Sequence, residues 1–522
     1  MNLTKTKKII IAIVAVVLAA VLTVTVLITT GVAVEPENKL FNDGLVPVRD
    51  ENGRWGYINL SGGVAVNFKY SEAGAFNGGV AIVAEGEYDE DAEKYERYKI
   101  INNKDKCVND KYYAYLAEAG GDGLIIFKDD LGFGIMNREG KIVVDANYDD
   151  IEPFSDNGYA IVTLNGKKGV INKKGELVVA ALYDDVEGLS YIGSGDYYAF
   201  IAKTDKVYSD DGLNETGDED EGEEADAQSE TQTGGEESRT VTEYSLVNLS
   251  GRVVSSGWLG IRQAFYKGDL LTVKQEIGGV DLYGFITVSG RVTVVPTYTE
   301  TGLFMNGLCA VKTRDELSGE YVWNYVDKNG NVVINLNDVF VNSLNSVSPV
   351  NSLNFVSCFA GDGDIVPVKI ETEEGVKYRY MDRKGHFVTE AIYDGAYPMG
   401  IKTGINKYAL AYYEQDGKIV THLINKKGEV IDLSEKSIIK VLSDKIIVSY
   451  SKDGKTVYAF TDYELEVVQE FGAGAELLPN SVYGDGYIVF KKSDGNKNLF
   501  GIMSKKGKVI IEAKYTAVGG TF

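Results

Sequence analysis

Two histidines and two pairs of adjacent carboxylates are the side chains of this sequence best suited to acid–base chemistry. They are His386, His422, Asp149-Asp150 and Asp184-Asp185. Histidine changes charge near neutral pH, and two carboxylates held about 5–10 Å apart could hydrolyse a glycosidic bond. Each residue, however, occupies a slot of a repeating pattern, and unrelated residues fill the histidine slots in other copies. The pattern therefore favours a structural role for the histidines and turn chemistry for the acids.

Three further groups could bind a ligand. Residues 361–364, Gly-Asp-Gly-Asp, could begin a calcium loop, but they lack the spaced ligands and closing glutamate of such a site. A turn before the strand at residues 365–368 is favoured instead. Trp55, Trp258 and Trp323 are isolated in or near repeat strands, which favours core packing over a sugar platform. Lysine pairs at 173–174, 426–427 and 505–506 lie at turns, where they serve solubility or contact phosphate-bearing polymers.

The catalytic motifs of the common enzyme classes are missing from the sequence. There is no GxSxG elbow, P-loop, HExxH or GxGxxG before a helix. The three cysteines, Cys107, Cys309 and Cys358, form no CxxC pair, which argues against structural zinc and a disulfide framework. We predict that the protein is not an enzyme and has no catalytic, cofactor or metal residues. The net charge of −24 should repel nucleic acid, so nucleic-acid binding is excluded as a main role.

The repeating unit is clearest at Phe133-Gly134-Ile135-Met136-Asn137, followed by Gly140 and Tyr148. A short polar residue three positions before glycine is typical of a tight turn, with the glycine adopting a positive φ. Apolar, strand-length runs flank the turn, so each unit contains a hairpin. The second run is often apolar on consecutive residues, which predicts burial on both faces. A third strand, such as residues 158–162, precedes most hairpins.

Copies of the unit recur about every 40 residues. The turn glycines that mark the copies are Gly62, Gly140, Gly175, Gly251, Gly290, Gly330, Gly385, Gly428 and Gly507. Two wide gaps predict degenerate copies near Lys104-Asp105 and near Asp462, for a total of about eleven units.

The unit resembles the WG-repeat family of bacterial proteins, most closely at Trp55-Gly56-Tyr57-Ile58-Asn59. The resemblance covers roughly residues 40 to 522. Phe133-Gly134, Lys168-Gly169, Tyr283-Gly284 and Phe500-Gly501 stand in place of the Trp-Gly pair in other copies. The family implies an all-β repeat scaffold and supplies no catalytic residues.

The N-terminal region predicts a membrane anchor. Residues 1–8 form a short basic tail, and residues 9–28 carry no charge over about 30 Å of helix, the thickness of a bilayer core. We predict a transmembrane signal anchor at residues 9–30 and a linker at 31–39. The lysines before the span place the N-terminus in the cytoplasm and the repeats outside the cell membrane. A cleaved signal peptide is the alternative.

The rest of the chain divides into two repeat segments, 40–338 and 365–522, joined by an irregular connection at 339–364. An acidic insertion at 210–239 interrupts the first segment and is predicted to be disordered, in a loop between two strands of one unit. The predicted fold is all-β, with tandem antiparallel β-meander repeats arranged as a propeller or a β-solenoid. Three clear strands per unit favour an elongated array, or two propeller-like groups split near residue 340.

Three functions follow as hypotheses from this organisation. The first is a membrane-anchored, extracytoplasmic binding or scaffold module for an unknown protein or cell-envelope polymer. The others are a structural spacer and an envelope glycan hydrolase that would use acids in the repeat loops.

Overall fold

The computed structural model describes most of the chain between residues 39 and 519. Outside the described part lie residues 1–38, 121–122, 209–238, 315–318, 320, 337–357, 373–374, 391, 401–404, 434, 443–444, 472–474, 495–496 and 520–522. The predicted anchor at 9–30 and most of the connection at 339–364 therefore fall outside it. No helix in the described part has an apolar stretch long enough to cross a membrane.

The described elements are 41 short β-strands that form eleven antiparallel sheets, called blades 1 to 11 in chain order. Blade 1 contains β1 (Leu45–Arg49), β2 (Trp55–Asn59), β3 (Val64–Tyr70) and the last strand of the chain, β41 (Ala517–Val518). Blade 2 contains β4 (Glu72–Ala73), β5 (Val80–Asp89) and β6 (Lys94–Asn102). Blade 3 contains β7 (Tyr115–Glu118), β8 (Leu124–Lys128), β9 (Phe133–Asn137) and β10 (Ile142–Tyr148). Blade 4 contains β11 (Asp150–Ile151), β12 (Tyr159–Leu164), β13 (Lys167–Asn172) and β14 (Leu177–Tyr183). Blade 5 contains β15 (Asp185–Ser190), β16 (Tyr197–Tyr208), β17 (Arg239–Asn248) and β18 (Val253–Trp258). Blade 6 contains β19 (Gly260–Arg262), β20 (Leu271–Ile277), β21 (Val280–Ile286) and β22 (Val292–Tyr298).

The second half of the chain continues the series. Blade 7 contains β23 (Glu300–Thr301), β24 (Cys309–Arg314), β25 (Tyr321–Val326) and β26 (Val332–Asn335). Blade 8 contains β27 (Ile365–Thr372) and β28 (Gly375–Asp382). Blade 9 contains β29 (Gly395–Tyr397), β30 (Tyr408–Gln415), β31 (Lys418–Asn425) and β32 (Val430–Asp432). Blade 10 contains β33 (Lys436–Val441), β34 (Ile446–Lys452), β35 (Lys455–Thr461) and β36 (Val467–Glu470). Blade 11 contains β37 (Glu476–Val482), β38 (Tyr487–Asp494), β39 (Lys497–Ser504) and β40 (Val509–Tyr515).

The blades form a closed propeller-like ring. Strand β41 returns to blade 1 and pairs Val518 with Val48. A shared hydrophobic cluster joins each blade to the next, and the cluster between blades 11 and 1 contains Val46, Ile58 and Ile502. The expectation of an elongated array or of two groups split near residue 340 is therefore wrong. Blade 7 packs directly on blade 8, because both contribute buried side chains to one cluster.

The hairpin turns follow the predicted chemistry. In blade 3 the Gly140 amide donates to the Asn137 carbonyl oxygen at 2.9 Å, and the Lys141 amide donates to Asn137 Oδ1 at 2.9 Å. All nine turn glycines have φ between +71° and +87°. The two degenerate copies keep this geometry without glycine, since Asp105 has φ +61° and Leu465 has φ +65°.

The turn glycines also set the spacing between blades. A β-carbon on Gly175 of blade 4 would lie 2.7 Å from Val144 Cγ2 of blade 3. A β-carbon on Gly251 of blade 5 would overlap the carbonyl oxygen of Val178 in blade 4. Each of these turns therefore packs so closely on the fourth strand of the preceding blade that a side chain in place of the glycine would clash with it.

The glycine of the Trp-Gly slot has a different role within its own sheet. The pairing of β2 with β3 shifts register between Trp55, opposite Tyr70, and Tyr57, opposite Val66. At this bulge a β-carbon on Gly56 would lie 2.6 Å from the Val66 carbonyl oxygen. In blade 8 this slot holds Arg379, whose Nε and Nη2 donate to the Thr389 carbonyl oxygen at 2.9 and 2.6 Å.

The fourth strands are not buried on both faces, which corrects another prediction. In β14 only Val179 is buried, at 2% exposure, whereas Leu177 is 47% exposed. In β22 Val295 is 66% exposed. These strands are the edges of their sheets, so one face packs on the neighbouring blade and the other faces solvent.

The acidic insertion interrupts the loop between the second and third strands of blade 5. Tyr208 at the end of β16 lies opposite Arg239 at the start of β17. Arg239 thus belongs to a strand rather than to the insertion, and residues 209–238 lie outside the described part.

Candidate functional site

The loops between first and second strands, called the 1–2 loops, bind one another around the ring. Asp485 of blade 11 accepts hydrogen bonds from the Leu40 and Phe41 amides of blade 1, both at 3.0 Å. Asp43 of blade 1 accepts one from the Gly79 amide of blade 2 at 2.7 Å. A short polar side chain in one blade thereby satisfies backbone donors in the next blade.

The same arrangement recurs on the other side of the ring. Asp269 of blade 6 accepts from the Asn306 amide at 3.2 Å and the Gly307 amide at 2.9 Å, both in blade 7. Burial raises the pKa of Asp269 to about 6, although these donors oppose the shift. Asn306 Nδ2 in turn donates to the carbonyl oxygens of Phe359 and Gly361 at 2.7 and 3.0 Å.

Cations from the hairpin turns pack between neighbouring 1–2 loops. Arg383 Nη1 donates to the Gly363 carbonyl oxygen at 3.0 Å, and its Nη2 donates to the Asn306 carbonyl oxygen at 3.1 Å. The Arg138 guanidinium fills the space that β-carbons on Gly78 and Gly123 would occupy. One cation thus contacts two blades in each case.

A large cavity lies where the described ends of the chain meet, and we call it the seam cavity. Its volume is about 570 Å³, and its walls come from blades 11, 1, 2 and 3. The polar side chains that line it are Lys39, Asn42, Asn77, Glu118, Asn480 and Tyr483. Residues 74–77 of the lining come from the 1–2 loop of blade 2, whereas Glu118 lies at the end of β7.

The electrostatics of the seam cavity centre on Glu118. Burial raises the pKa of Glu118, while Arg138 and Asn77 oppose that shift. Asn77 Nδ2 lies 3.5 Å from Glu118 Oε2. Asp485 bonds Leu40 in the cavity wall, and its other oxygen, Oδ1, is buried without a hydrogen-bond partner in the described structure. The cavity therefore offers acceptors, amide donors, an ammonium group and aromatic surface to a polar ligand.

The histidines lie apart and outside this cavity. His386 is exposed at a hairpin turn, with Nδ1 3.5 Å from Asp382 Oδ2. His422 occupies the glycine slot of β31, and its Nδ1 lies 3.2 Å from the Tyr393 hydroxyl. Burial lowers the pKa of His422. Neither histidine lines the seam cavity.

The acid pairs lie in the connections between blades and bond to neighbouring strands and loops. Asp149 Oδ2 accepts a hydrogen bond from the Gly166 amide at 2.8 Å, and Asp184 Oδ2 accepts one from the Asp205 amide at 2.8 Å. Asp185 pairs with Lys203 at 2.8 Å. Asp150 begins β11. Asp149 and Asp184 thus bind backbone amides of neighbouring segments, whereas Asp150 and Asp185 begin strands.

The remaining sequence candidates occupy structural positions. Trp55, Trp258 and Trp323 are buried at 4%, 8% and 4% exposure, which confirms core packing. Residues 361–364 form the turn before β27, as predicted, and Asp364 Oδ2 lies 3.6 Å from Lys426 Nζ. In the described part of the chain, no group of three or more His, Cys, Asp or Glu residues could hold a metal ion.

Comparison with protein families identifies the repeat. The model of the "WG containing repeat" matches residues 55–88, 133–167, 169–206, 378–418 and 500–521. The chain is a WG-repeat protein. Each matched region begins in or at a third strand, includes the turn that follows it, and continues into the first strands of the next blade, so one WG repeat contributes strands to two consecutive blades. No curated protein sequence matches the chain.

Solved structures share only a general likeness to this WG-repeat protein. A eukaryotic initiation factor aligns at 11% identity and TM-score 0.28, covering 77% of this chain and 97% of its own. The dipeptidyl peptidase 4 of Porphyromonas gingivalis aligns at 13% identity and TM-score 0.30, covering 80% and 65% respectively. TolB of Acinetobacter baumannii aligns at 11% identity and TM-score 0.19, covering 52% and 75%.

Sequence reasoning did not identify the residues of the seam cavity. A signal was present, because a polar residue recurs just before a glycine that precedes most second strands, as in Asn42-Asp43-Gly44 and Asn77-Gly78. These residues could be recognised as part of the repeat. That they line one cavity depends on the closure of the ring, which the sequence did not show.

Proposed function

We propose that the protein is a membrane-anchored, extracytoplasmic binding or scaffold module that holds a segment of a protein or cell-envelope polymer in the seam cavity. The observation that carries this proposal is the convergence of four consecutive blades on one polar cavity of about 570 Å³. Concave sites with a few convergent polar groups are the usual form of a ligand site. Residues 9–30 would supply the single-pass anchor, with the N-terminus in the cytoplasm.

The lining favours a ligand rich in hydroxyl and amide groups. Asn42, Asn77 and Asn480 each carry both a donor and an acceptor, and the half-buried ring of Tyr483 provides aromatic surface. A net charge of −24 disfavours a polyanion as the segment held in the cavity. Binding without chemistry is the proposed activity.

The test is capture of envelope components by the repeat region, residues 35–522, immobilised on beads. Wild type should retain a defined component, and Ala75→Trp should lose most of it because the indole fills the cavity. Ala114→Trp is the matched control, since Ala114 is exposed and does not line the cavity.

Three outcomes would contradict the proposal. Equal capture by wild type and Ala75→Trp would show that the cavity is not the binding site. Retention of nothing from protein or polymer fractions would favour the structural spacer. Turnover of a captured glycan that is lost in Glu118→Gln would favour the hydrolase.

A further inference from the structure

The tight turns that follow the third strands of the blades all lie on one side of the ring, which we call the turn face. Strands alternate in direction within every blade, so these turns share a face with the 1–2 loops. Each turn is five residues long, as in residues 137–141. Across the eleven turns, all of which are described, twelve lysines and arginines are exposed against five glutamates. The exposed cations are Lys104, Lys106, Lys141, Lys174, Arg252, Arg291, Lys328, Lys384, Lys426, Lys427, Lys506 and Lys508.

On the opposite face, the described loops between second and third strands carry an excess of acid. Their exposed acids are Glu51, Glu90, Asp91, Glu93, Asp129, Asp130, Asp416 and Asp453, and Arg54 is the only exposed cation in these described loops. The insertion at residues 209–238, which contains thirteen Asp and Glu residues and no Lys or Arg, lies in the sequence between β16 and β17. The described loops of the two faces therefore differ in the sign of their charge.

The N-terminal segment joins the ring on the turn face. Residues 39–44 lead into β1 at the end of the strand nearest the turn between β2 and β3. If residues 9–30 span a membrane, the nine residues 31–39 can reach at most about 30 Å. The anchor of the proposed function would therefore hold the basic face, rather than the acidic face, towards the bilayer.

We propose that the turn face docks on a bilayer surface that contains anionic phospholipids, with lysine and arginine side chains of the hairpin turns contacting lipid phosphates. The proposal rests on the anchor of the proposed function and adds a second contact with the membrane. The acidic face does not oppose docking, because charges more than about 8 Å from the surface are screened at physiological ionic strength. Each surface-facing lysine strengthens the docked state about fivefold.

The experiment uses the full chain with vesicles of phosphatidylcholine alone or of phosphatidylcholine with 30 mol% phosphatidylglycerol. Flotation reports the anchor, and lysine acylation followed by mass spectrometry reports docking. We expect flotation with both vesicles. With anionic vesicles at 50 mM NaCl, the acylation of Lys174 and Lys427 should be slower than with neutral vesicles by a factor of about five or more. The difference should vanish at 500 mM NaCl.

Charge reversal tests which face is responsible. Lys505→Glu/Lys506→Glu/Lys508→Glu should weaken docking about 100-fold or more and abolish the protection of Lys174 and Lys427. The matched control is Lys418→Glu/Lys455→Glu/Lys497→Glu, because these lysines begin third strands at the opposite face. The control should retain the protection, and circular dichroism verifies that both variants are folded. If the first triple variant does not fold, Lys174→Glu/Lys427→Glu replaces it, with Lys506 and Lys508 as the reporting lysines.

The outcomes separate the docking proposal from the anchor. Flotation with both vesicles and equal acylation in both would overturn docking while leaving the anchor intact. Flotation with anionic vesicles alone, reversed by salt and accompanied by protection, would support docking and refute the anchor. Absence of flotation with either vesicle would refute both. If soluble polyphosphate without vesicles protected Lys174 and Lys427 from acylation equally well, the conclusion that lipid is the partner would be wrong.

Discussion

Replacing Gly251 by alanine should destabilise the junction between blades 4 and 5 through two separable effects. Gly251 has φ +78°, and a β-carbon there would overlap the carbonyl oxygen of Val178 in the adjacent blade. The left-handed conformation costs alanine about 1–2 kcal/mol. Forcing backbone apart in a packed contact costs about 1–3 kcal/mol more. We expect Gly251→Ala to lower the free energy of unfolding by about 2–5 kcal/mol.

Gly166→Ala is the matched control for the conformational part. Gly166 has φ +73°, and no atom lies within 4 Å of the position of its β-carbon. Its substitution should therefore cost about 1–2 kcal/mol, the backbone penalty alone. The difference between the two variants measures the close approach of one blade to the next.

Equilibrium urea unfolding, followed by circular dichroism, gives the two losses of stability. Hydrogen exchange of β18, which contains Trp258, locates the effect because this strand follows the turn at Gly251. Exchange there should accelerate more in Gly251→Ala than in Gly166→Ala. Equal losses in the two variants would refute the conclusion that turn glycines set the distance between blades.

Three other predictions follow from the same structure. Gly284→Ala should lower the free energy of unfolding by about 1–3 kcal/mol, because a β-carbon would lie 2.5 Å from the Val294 carbonyl oxygen; a urea midpoint unchanged from wild type would contradict this. Asp269→Asn tests the buried carboxyl of Asp269, whose pKa of about 6 exceeds the ordinary 3.8. Because the folded state favours the protonated carboxyl, the stability that Asp269 contributes is present at low pH and is lost as the pH rises through 6. From pH 4 to 7 the variant should gain about 2 kcal/mol of stability relative to wild type in urea unfolding, and a pH-independent difference would exclude this carboxyl as the cause. Deleting residues 516–522 should speed hydrogen exchange in β1 but leave β20 unchanged, because β1 alone loses its pairing with β41; slow exchange in β1 would show that other contacts close the ring.

The sequence predicted the hairpin units because their determinants are local. The polar residue and the glycine of each turn lie three positions apart, so the pattern is visible without tertiary information. It also located the degenerate copies, where Asp105 and Leu465 take the place of glycine. The bulge at Gly56 was not predicted, because it depends on the backbone of a strand ten residues away.

Ring closure could not be predicted for a related reason. The strand that closes the ring, β41, has two residues, and Ala517 and Val518 carry no distinctive pattern. First strands such as β11 are equally short, so the units showed three strands instead of four. The consecutive apolar residues of β14 indicated two buried faces, but an edge strand beside a neighbouring blade buries only one. The seam cavity was missed because it exists only once the ring is closed.

The meeting of the two chain ends in blade 1 has a mechanical consequence. Any pull on the N-terminal segment reaches the body at Leu40 and Phe41, whose amides are held by Asp485 near the other end of the chain. The load then passes to the two-residue pairing of β1 with β41 before it reaches the other blades. Tension applied through the N-terminus would therefore be resisted first by contacts between the two ends, and the remaining blades would be shielded until those contacts rupture.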